Sequence, residues 1–171
     1  MSTEAQYFSI GIALGKIADN LPMYRGHSAA VLDTDFSPFN DYLIASASED
    51  SKVFIYSIPE ELGEEDIDPV VRLTTHGRKV GQVLFNPVAE NVLLSASTDL
   101  TMKLWDIEKG VEKQTITGHL EIVQGVSWNY NGTLVATTCR DKKLRIFDVR
   151  SNKIVSVRIT PRCTLLGSLE Y

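Results

Sequence analysis

One segment pattern occurs three times in this chain, and it constrains the fold more than any other feature. The copies read HSAAVLDTDFSPFNDYLIASASEDSKVFIYSI, HGRKVGQVLFNPVAENVLLSASTDLTMKLWDI and HLEIVQGVSWNYNGTLVATTCRDKKLRIFDV. They open at His27, His76 and His119, spaced 49 and 43 residues apart. Further landmarks keep step: Asp50, Asp99 and Asp141, then Tyr56, Trp105 and Phe147. A unit repeated at this period buries its apolar face by stacking on its neighbours.

Each copy divides into three alternating segments. The first places Val31, Val80 and Val123 five residues before an aromatic, respectively Phe36, Phe85 and Trp128. Turn chemistry follows at Ser37-Pro38, Asn86-Pro87 and Asn131-Gly132. The second segment (LIASAS, LLSAS, LVATTC) is apolar and small, as expected of a strand packed between sheets. In the third, Val53 and Ile55, Met102 and Leu104, and Leu144 and Ile146 alternate with Phe54, Lys103 and Arg145. A period of two predicts strand rather than helix. The links PVVRL (Pro69–Leu73) and EKQTI (Glu112–Ile116) read as outer fourth strands, with Pro69 and the charges suited to an edge.

Gly-His at one end of the unit and Trp-Asp at the other mark a WD40-type propeller blade. The expected fold is therefore all-β: a partial WD40-type β-propeller of about three four-stranded antiparallel blades. In the second copy His76, Ser95, Asp99 and Trp105 stand where this repeat family carries a hydrogen-bonded tetrad. The first copy offers His27, Ser46, Asp50 and Tyr56, and the third His119, Thr137, Asp141 and Phe147. Phenylalanine has no donor, which predicts a third network one bond short. All three histidines read as structural rather than catalytic or metal-binding. The second copy has Thr75-His76-Gly77, without a glycine before its histidine, and reads as locally loosened there.

Three blades do not close a ring, since propellers use about 4–8. The segment FSIGIAL (Phe8 to Leu14) resembles the last strands of a preceding blade, and the pattern fails after Ile159. The chain thus reads as a fragment or truncated product of a longer propeller. The boundaries expected are 1–25 for the preceding blade, 26–68 for a repeat ending in an acidic loop, 69–111 and 112–158 for the next repeats, and 159–171 for an off-pattern tail.

Charge is distributed unevenly. From Cys139 to the end the balance is +5, while the preceding residues carry −10, much of it in EELGEEDID (Glu60 to Asp68). That loop lacks the spacing of an EF-hand calcium loop. No run approaches the ~20 apolar residues of a membrane span. Cys139 and Cys163 have no metal-ligand spacing, and Cys139 reads as an inert core thiol. There is no Gly-rich phosphate loop, HExxH run or GxSxG elbow, so the reading is of a protein that is not an enzyme and needs no cofactor. A pI near 5.2 argues against nucleic acid.

Beyond the generic repeat, Asn40-Asp41 followed by Ile-Ala-Ser, the Pro59-Glu60 that ends the first copy, and Cys139-Arg140-Asp141-Lys142 resemble the coronins. The likeness spans about residues 8 to 157. It implies a seven-bladed propeller, of which this stretch would be the end of the first blade and the next three. It also implies binding of filamentous actin, dealings with the actin-nucleating complex and cofilin, and a cytoplasmic, actin-rich location. An actin filament is acidic, so the contact residues expected are Arg140, Lys142 and Lys143 around the tight turn of the third copy. The alternatives are a general WD-repeat adaptor for protein complexes, or a truncated product without independent activity.

Overall fold

The computed structural model describes residues 23–59 and 66–159. The expected earlier blade at Phe8 to Leu14, the run Glu60 to Glu65 of the acidic loop and the tail after Ile159 lie outside the described residues. Among the described residues, twelve strands form three four-stranded antiparallel sheets, each in simple chain order. The first holds β1 (Val31–Phe36), β2 (Leu43–Ser48), β3 (Val53–Ser57) and β4 (Val71–Leu73). The second holds β5 (Val80–Phe85), β6 (Val92–Ser97), β7 (Met102–Asp106) and β8 (Val111–Ile116). The third holds β9 (Val123–Trp128), β10 (Leu134–Cys139), β11 (Lys143–Asp148) and β12 (Lys153–Ile159).

The sheets stack face to face: β1 and β2 pack on β5, and β5 and β6 on β9. Ala45, Ala47, Val53 and Ile55 of the first sheet meet Val80, Val83, Phe85, Leu93 and Trp105 of the second in one core. Leu94, Met102, Leu104 and Ile116 carry the opposite face of the second sheet onto Val135 and Phe147. Small residues on β2 and β6 allow this approach, because a larger side chain would prop the sheets apart. Both faces of β3 and β7 are covered, so Phe54 and Lys103 are buried along with their apolar neighbours. On β11 the expected alternation reverses: Arg145 is buried, whereas Leu144 and Ile146 are only half-buried.

The inner strands have a further tie. One edge of β5 pairs with β6, and the other must satisfy its N–H groups elsewhere. Asp33 and Asp35 of β1 do this, accepting the N–H of Val83 at 3.0 Å and of Phe85 at 2.7 Å. Burial pushes both carboxyls up, and the charge of Asp33 adds to the effect on Asp35. The equivalent positions in β5 are Gln82 and Leu84, as the strand registers show. There the buried Gln82 Oε1 has no hydrogen-bond partner. The junction between the first two sheets is fastened by carboxylates that the next junction lacks.

This fastening has a testable consequence. A carboxyl whose folded pKa is raised stabilises the fold most below its unfolded value, and the benefit fades as pH rises through the folded value. At neutral pH Asp35→Asn keeps an acceptor for Phe85 and removes the repulsion with Asp33, so its melting temperature should equal or exceed that of the parent. Asp35→Ala strands the Phe85 N–H and should cost about 1–3 kcal/mol in denaturant unfolding.

Candidate functional site

Residues of the repeat gather at the end of each sheet where the incoming loop meets the turn after the second strand. That turn is built alike in the three blades. Asp50, Asp99 and Asp141 accept, through Oδ1, the N–H two residues on, from Lys52, Thr101 and Lys143 at 3.0, 2.9 and 3.0 Å. The residue between adopts left-handed backbone: φ is 65° at Ser51, 69° at Leu100 and 63° at Lys142. The aspartate side chain mimics a backbone turn and carries that strain.

In the second blade the remaining oxygen completes a chain of bonds. The Trp105 indole N–H donates to Ser95 Oγ at 2.8 Å, Ser95 lies 2.7 Å from His76 Nε2, and His76 Nδ1 lies 2.9 Å from Asp99 Oδ2. One assignment satisfies every member: the Ser95 hydroxyl donates to Nε2, and Nδ1–H donates to the carboxylate. Burial holds the His76 ring below its usual pKa, consistent with this neutral tautomer. Burial also opposes ionisation of Asp99, yet bonds from Thr101, His76 and Gly77 outweigh it and hold the carboxyl at about 2. The first blade repeats the core of the arrangement, with His27 2.9 Å from Asp50 and 2.7 Å from Ser46. Tyr56 sends its hydroxyl to the Arg25 carbonyl at 2.9 Å, and burial pushes that phenol up to about 12.

The third blade departs from the expected network by more than one bond. Neither nitrogen of His119 has a hydrogen-bond partner, although the residue is 95% buried at 5% exposure. Asp141 is taken instead by Arg145, at 2.5 and 3.2 Å through its two terminal nitrogens. Thr137 turns its hydroxyl to the Arg145 carbonyl at 3.4 Å, and the Phe147 ring lies tilted 5.1 Å from the imidazole. Burial, reinforced by the Arg145 charge, holds His119 down at about 4, while the Arg145 bond holds Asp141 at about 2. The missing donor at Phe147 therefore explains only part of the loss.

The missing glycine of the second copy also has a different outcome from the loosening expected. Gly26 and Gly118 precede their histidines at φ of 134° and 119°, and a Cβ at Gly26 would stand 3.0 Å from the Phe54 ring. Thr75 makes a bond there that glycine cannot, donating to Glu112 Oε2 at 2.5 Å. Glu112 also receives Lys103 Nζ at 2.6 Å and the Thr115 hydroxyl. Thr75 thus anchors the loop to the outer strand.

Of the expected contact residues, Arg140 and Lys142 are exposed and Lys143 is half-buried, all on the turn that Asp141 shapes. The turn is secured by the Arg140 N–H to Ile122 O at 2.9 Å and the Lys142 N–H to Cys139 O at 3.0 Å. Cys139 beneath it is fully buried, with its thiol 3.0 Å from the Glu121 carbonyl. Among the described residues no group of three or more His, Cys, Asp or Glu is placed to hold a metal ion. No helix there is long and apolar enough to cross a membrane. Asp33, Asp35 and the pairing of Arg145 with Asp141 are not among the features that the repeat pattern singles out. Two aspartates on alternate positions of an inner strand were the available signal for the first two.

The contrast between the blades predicts unequal mutants. His76→Phe strands Asp99 and Ser95 and should cost about 2–3 kcal/mol, whereas His119→Phe breaks no bond and should stay within about 1 kcal/mol. A histidine with a depressed folded pKa loses its stabilising effect as pH falls from the unfolded value toward the folded one. For His119 that window runs from 6.5 to about 4. His119→Phe should flatten the decline of melting temperature across it, and an equal cost for the two substitutions would contradict the geometry.

The family model described as "WD domain, G-beta repeat" matches residues 19–57, 67–106 and 110–148. A coronin-like protein of Saccharomyces cerevisiae is 52% identical over 153 residues, covering 84% of this chain and 23% of its own length. A coronin-like protein of Schizosaccharomyces pombe is 45% identical over 166 residues, covering 91% of this chain and 28% of its own length. Human coronin-2A is 36% identical over 147 residues, with coverages of 82% and 28%. The crystal structure of the WD40 domain of Toxoplasma gondii coronin superposes with a TM-score of 0.78 at 32% identity, over 82% of this chain and 36% of that one. The chain thus spans about a quarter of the length of the curated relatives it matches. With three matched repeats, three blades and this likeness along most of its length, the chain belongs to the WD-repeat family, among the coronins.

Proposed function

We propose that this chain supplies part of a coronin-type propeller that binds actin filaments, and that it does so as an interaction surface rather than as an enzyme. The observation that carries the reading is the coronin likeness, at 52% and 45% identity in the two fungal proteins. The surface proposed is the turn of Arg140, Lys142 and Lys143, which presents cations at the end of a blade. An acidic filament would meet that turn with complementary charge. Action on the nucleating complex, cooperation with cofilin and a place in the actin cytoskeleton are proposals for the whole protein on the same likeness.

Co-sedimentation with actin filaments tests the reading. The double reversal Lys142→Glu/Lys143→Glu should weaken binding about tenfold or more, a loss of at least about 1.4 kcal/mol, with little change in melting temperature. Raising salt should weaken the parent in the same direction. Reversal at Lys153, at the opposite end of β11's hairpin with β12, should leave binding unchanged. If both reversals bind like the parent, this turn does not contact the filament.

A further inference from the structure

One position beside the histidine is filled differently in each blade. Phe54, Lys103 and Arg145 are equivalent, since they pair across the sheet with Ser46, Ser95 and Thr137. In the first blade the Phe54 ring stacks on His27, with centroids 4.3 Å apart, and His27 keeps Asp50. In the second, Lys103 reaches outward to Glu112 at 2.6 Å and Thr115 at 3.1 Å, and His76 keeps Asp99. In the third, the outer strand has no carboxylate to offer a cation. Ile154 stands opposite Phe147 where Glu112 stands opposite Trp105, and Val157 opposite Arg145 where Thr115 stands opposite Lys103. With no acid on β12, Arg145 turns to Asp141 and occupies the place that the histidine holds in the other blades.

Two donors are therefore available to one carboxylate. Arg145 holds Asp141 now, while His119 lies buried beside them with both ring nitrogens unbonded. Asp141 and Arg145 act on the imidazole in opposite directions, as neighbours of opposite charge must. The first two blades show the contact this turn makes when nothing competes, a histidine Nδ1 at 2.9 Å from the aspartate.

We propose that Asp141 exchanges partners when the turn docks: an acidic side chain of the partner draws the Arg145 guanidinium to join Arg140, Lys142 and Lys143, and His119 closes on Asp141 in its place. This rests on the reading of that turn as a contact surface, and it adds a cation that looks purely structural in the free chain. Pulling an arginine from its carboxylate ordinarily leaves a charge unpaired in a poorly solvated site. Here the orphaned imidazole removes that cost, so the arginine can be recruited without unfolding the turn. The device needs two donors and one acceptor in register, and among the described repeats only the third has them.

The test is NMR of the histidine ring N–H groups in the full chain, using poly-L-glutamate as the acidic probe. The free protein should show hydrogen-bonded imidazole protons for His27 and His76 alone. Saturation with poly-L-glutamate should add a third, from His119, and raise its titration midpoint from about 4. Arg145→Met should produce the same third signal without the probe. So should Arg145→Lys/Ile154→Glu, which copies the second blade and guards against a variant that fails to fold. Two folded variants without a third signal would overturn the exchange. A probe that shifts the amides of residues 140–143 while leaving His119 silent would overturn it and spare the contact surface. No shift at those amides would overturn both.

Discussion

The bond from histidine to aspartate is the joint on which the first two blades are built, and its absence sets the third apart. It ties the loop that brings the chain in from the preceding sheet to the turn that reverses it between the second and third strands. In the first two blades that joint spans 2.9 Å and is buried on the histidine side. The aspartate is already committed, through its other oxygen, to a turn with a residue in left-handed conformation. One carboxylate therefore fixes both the path of the turn and the position of the loop. Such a group becomes stabilising only when both oxygens are satisfied, because an ionised carboxyl with a missing partner is expensive to bury. Asp99, with four bonds from three residues, meets that condition and is held at about 2.

What surrounds the joint decides whether it forms. The position next to it carries a ring, a lysine or an arginine, and each solution depends on the outer strand. Phe54 needs nothing beyond a flat surface and takes the His27 ring, and Arg72 lies over the Phe54 ring at 5.9 Å. Lys103 needs an acid and finds Glu112, which is in turn held by Thr75 and Thr115. Thr75 replaces the glycine of the other copies at a place where its hydroxyl is needed, so that substitution and the buried lysine belong to one arrangement. Arg145 stands opposite Val157, with Ile154 opposite the nearby Phe147, and takes Asp141 as its carboxylate. The chemistry of β12, some ten residues further along the chain, thus determines the fate of His119.

This dependence explains what could be seen in the sequence. The three copies, their strands and the turns between them follow from periodicity and from Asp, Asn, Pro and Gly at fixed places, all of which are local signals. The candidates His76, Ser95, Asp99 and Trp105 stand in register because the repeat itself is regular. The loss at His119 was less visible. Phe147 announced one missing donor, but the capture of Asp141 depends on which residues lie across a strand pair, and that register is not written in either strand alone. Alternation sets Arg145 on the face opposite Leu144 and Ile146, and period-two reasoning alone would leave that face wet. In a stack of sheets both faces are dry, so a cation on either face must find a buried partner.

The same logic separates the two junctions of the stack. Between the first and second sheets, Asp33 and Asp35 accept N–H groups from the free edge of β5, adding directional bonds to the apolar contact. Between the second and third, the corresponding positions are Gln82, whose oxygen has no partner, and Leu84, which cannot accept. Apolar packing tolerates small sliding because it is non-directional, whereas a carboxylate bonded to a backbone N–H does not. The third blade therefore combines an inner-strand junction without carboxylates, where Asn86 Nδ2 donates to the Gly132 carbonyl at 2.9 Å instead, with an unmade histidine joint. Its exposed cations, Arg140 and Lys142, are carried on the sheet whose inner strand receives no carboxylate from its neighbour. A contact surface that must adjust to a partner is better placed there than on the first blade, where adjustment would mean breaking bonds to the half-buried carboxylates of Asp33 and Asp35.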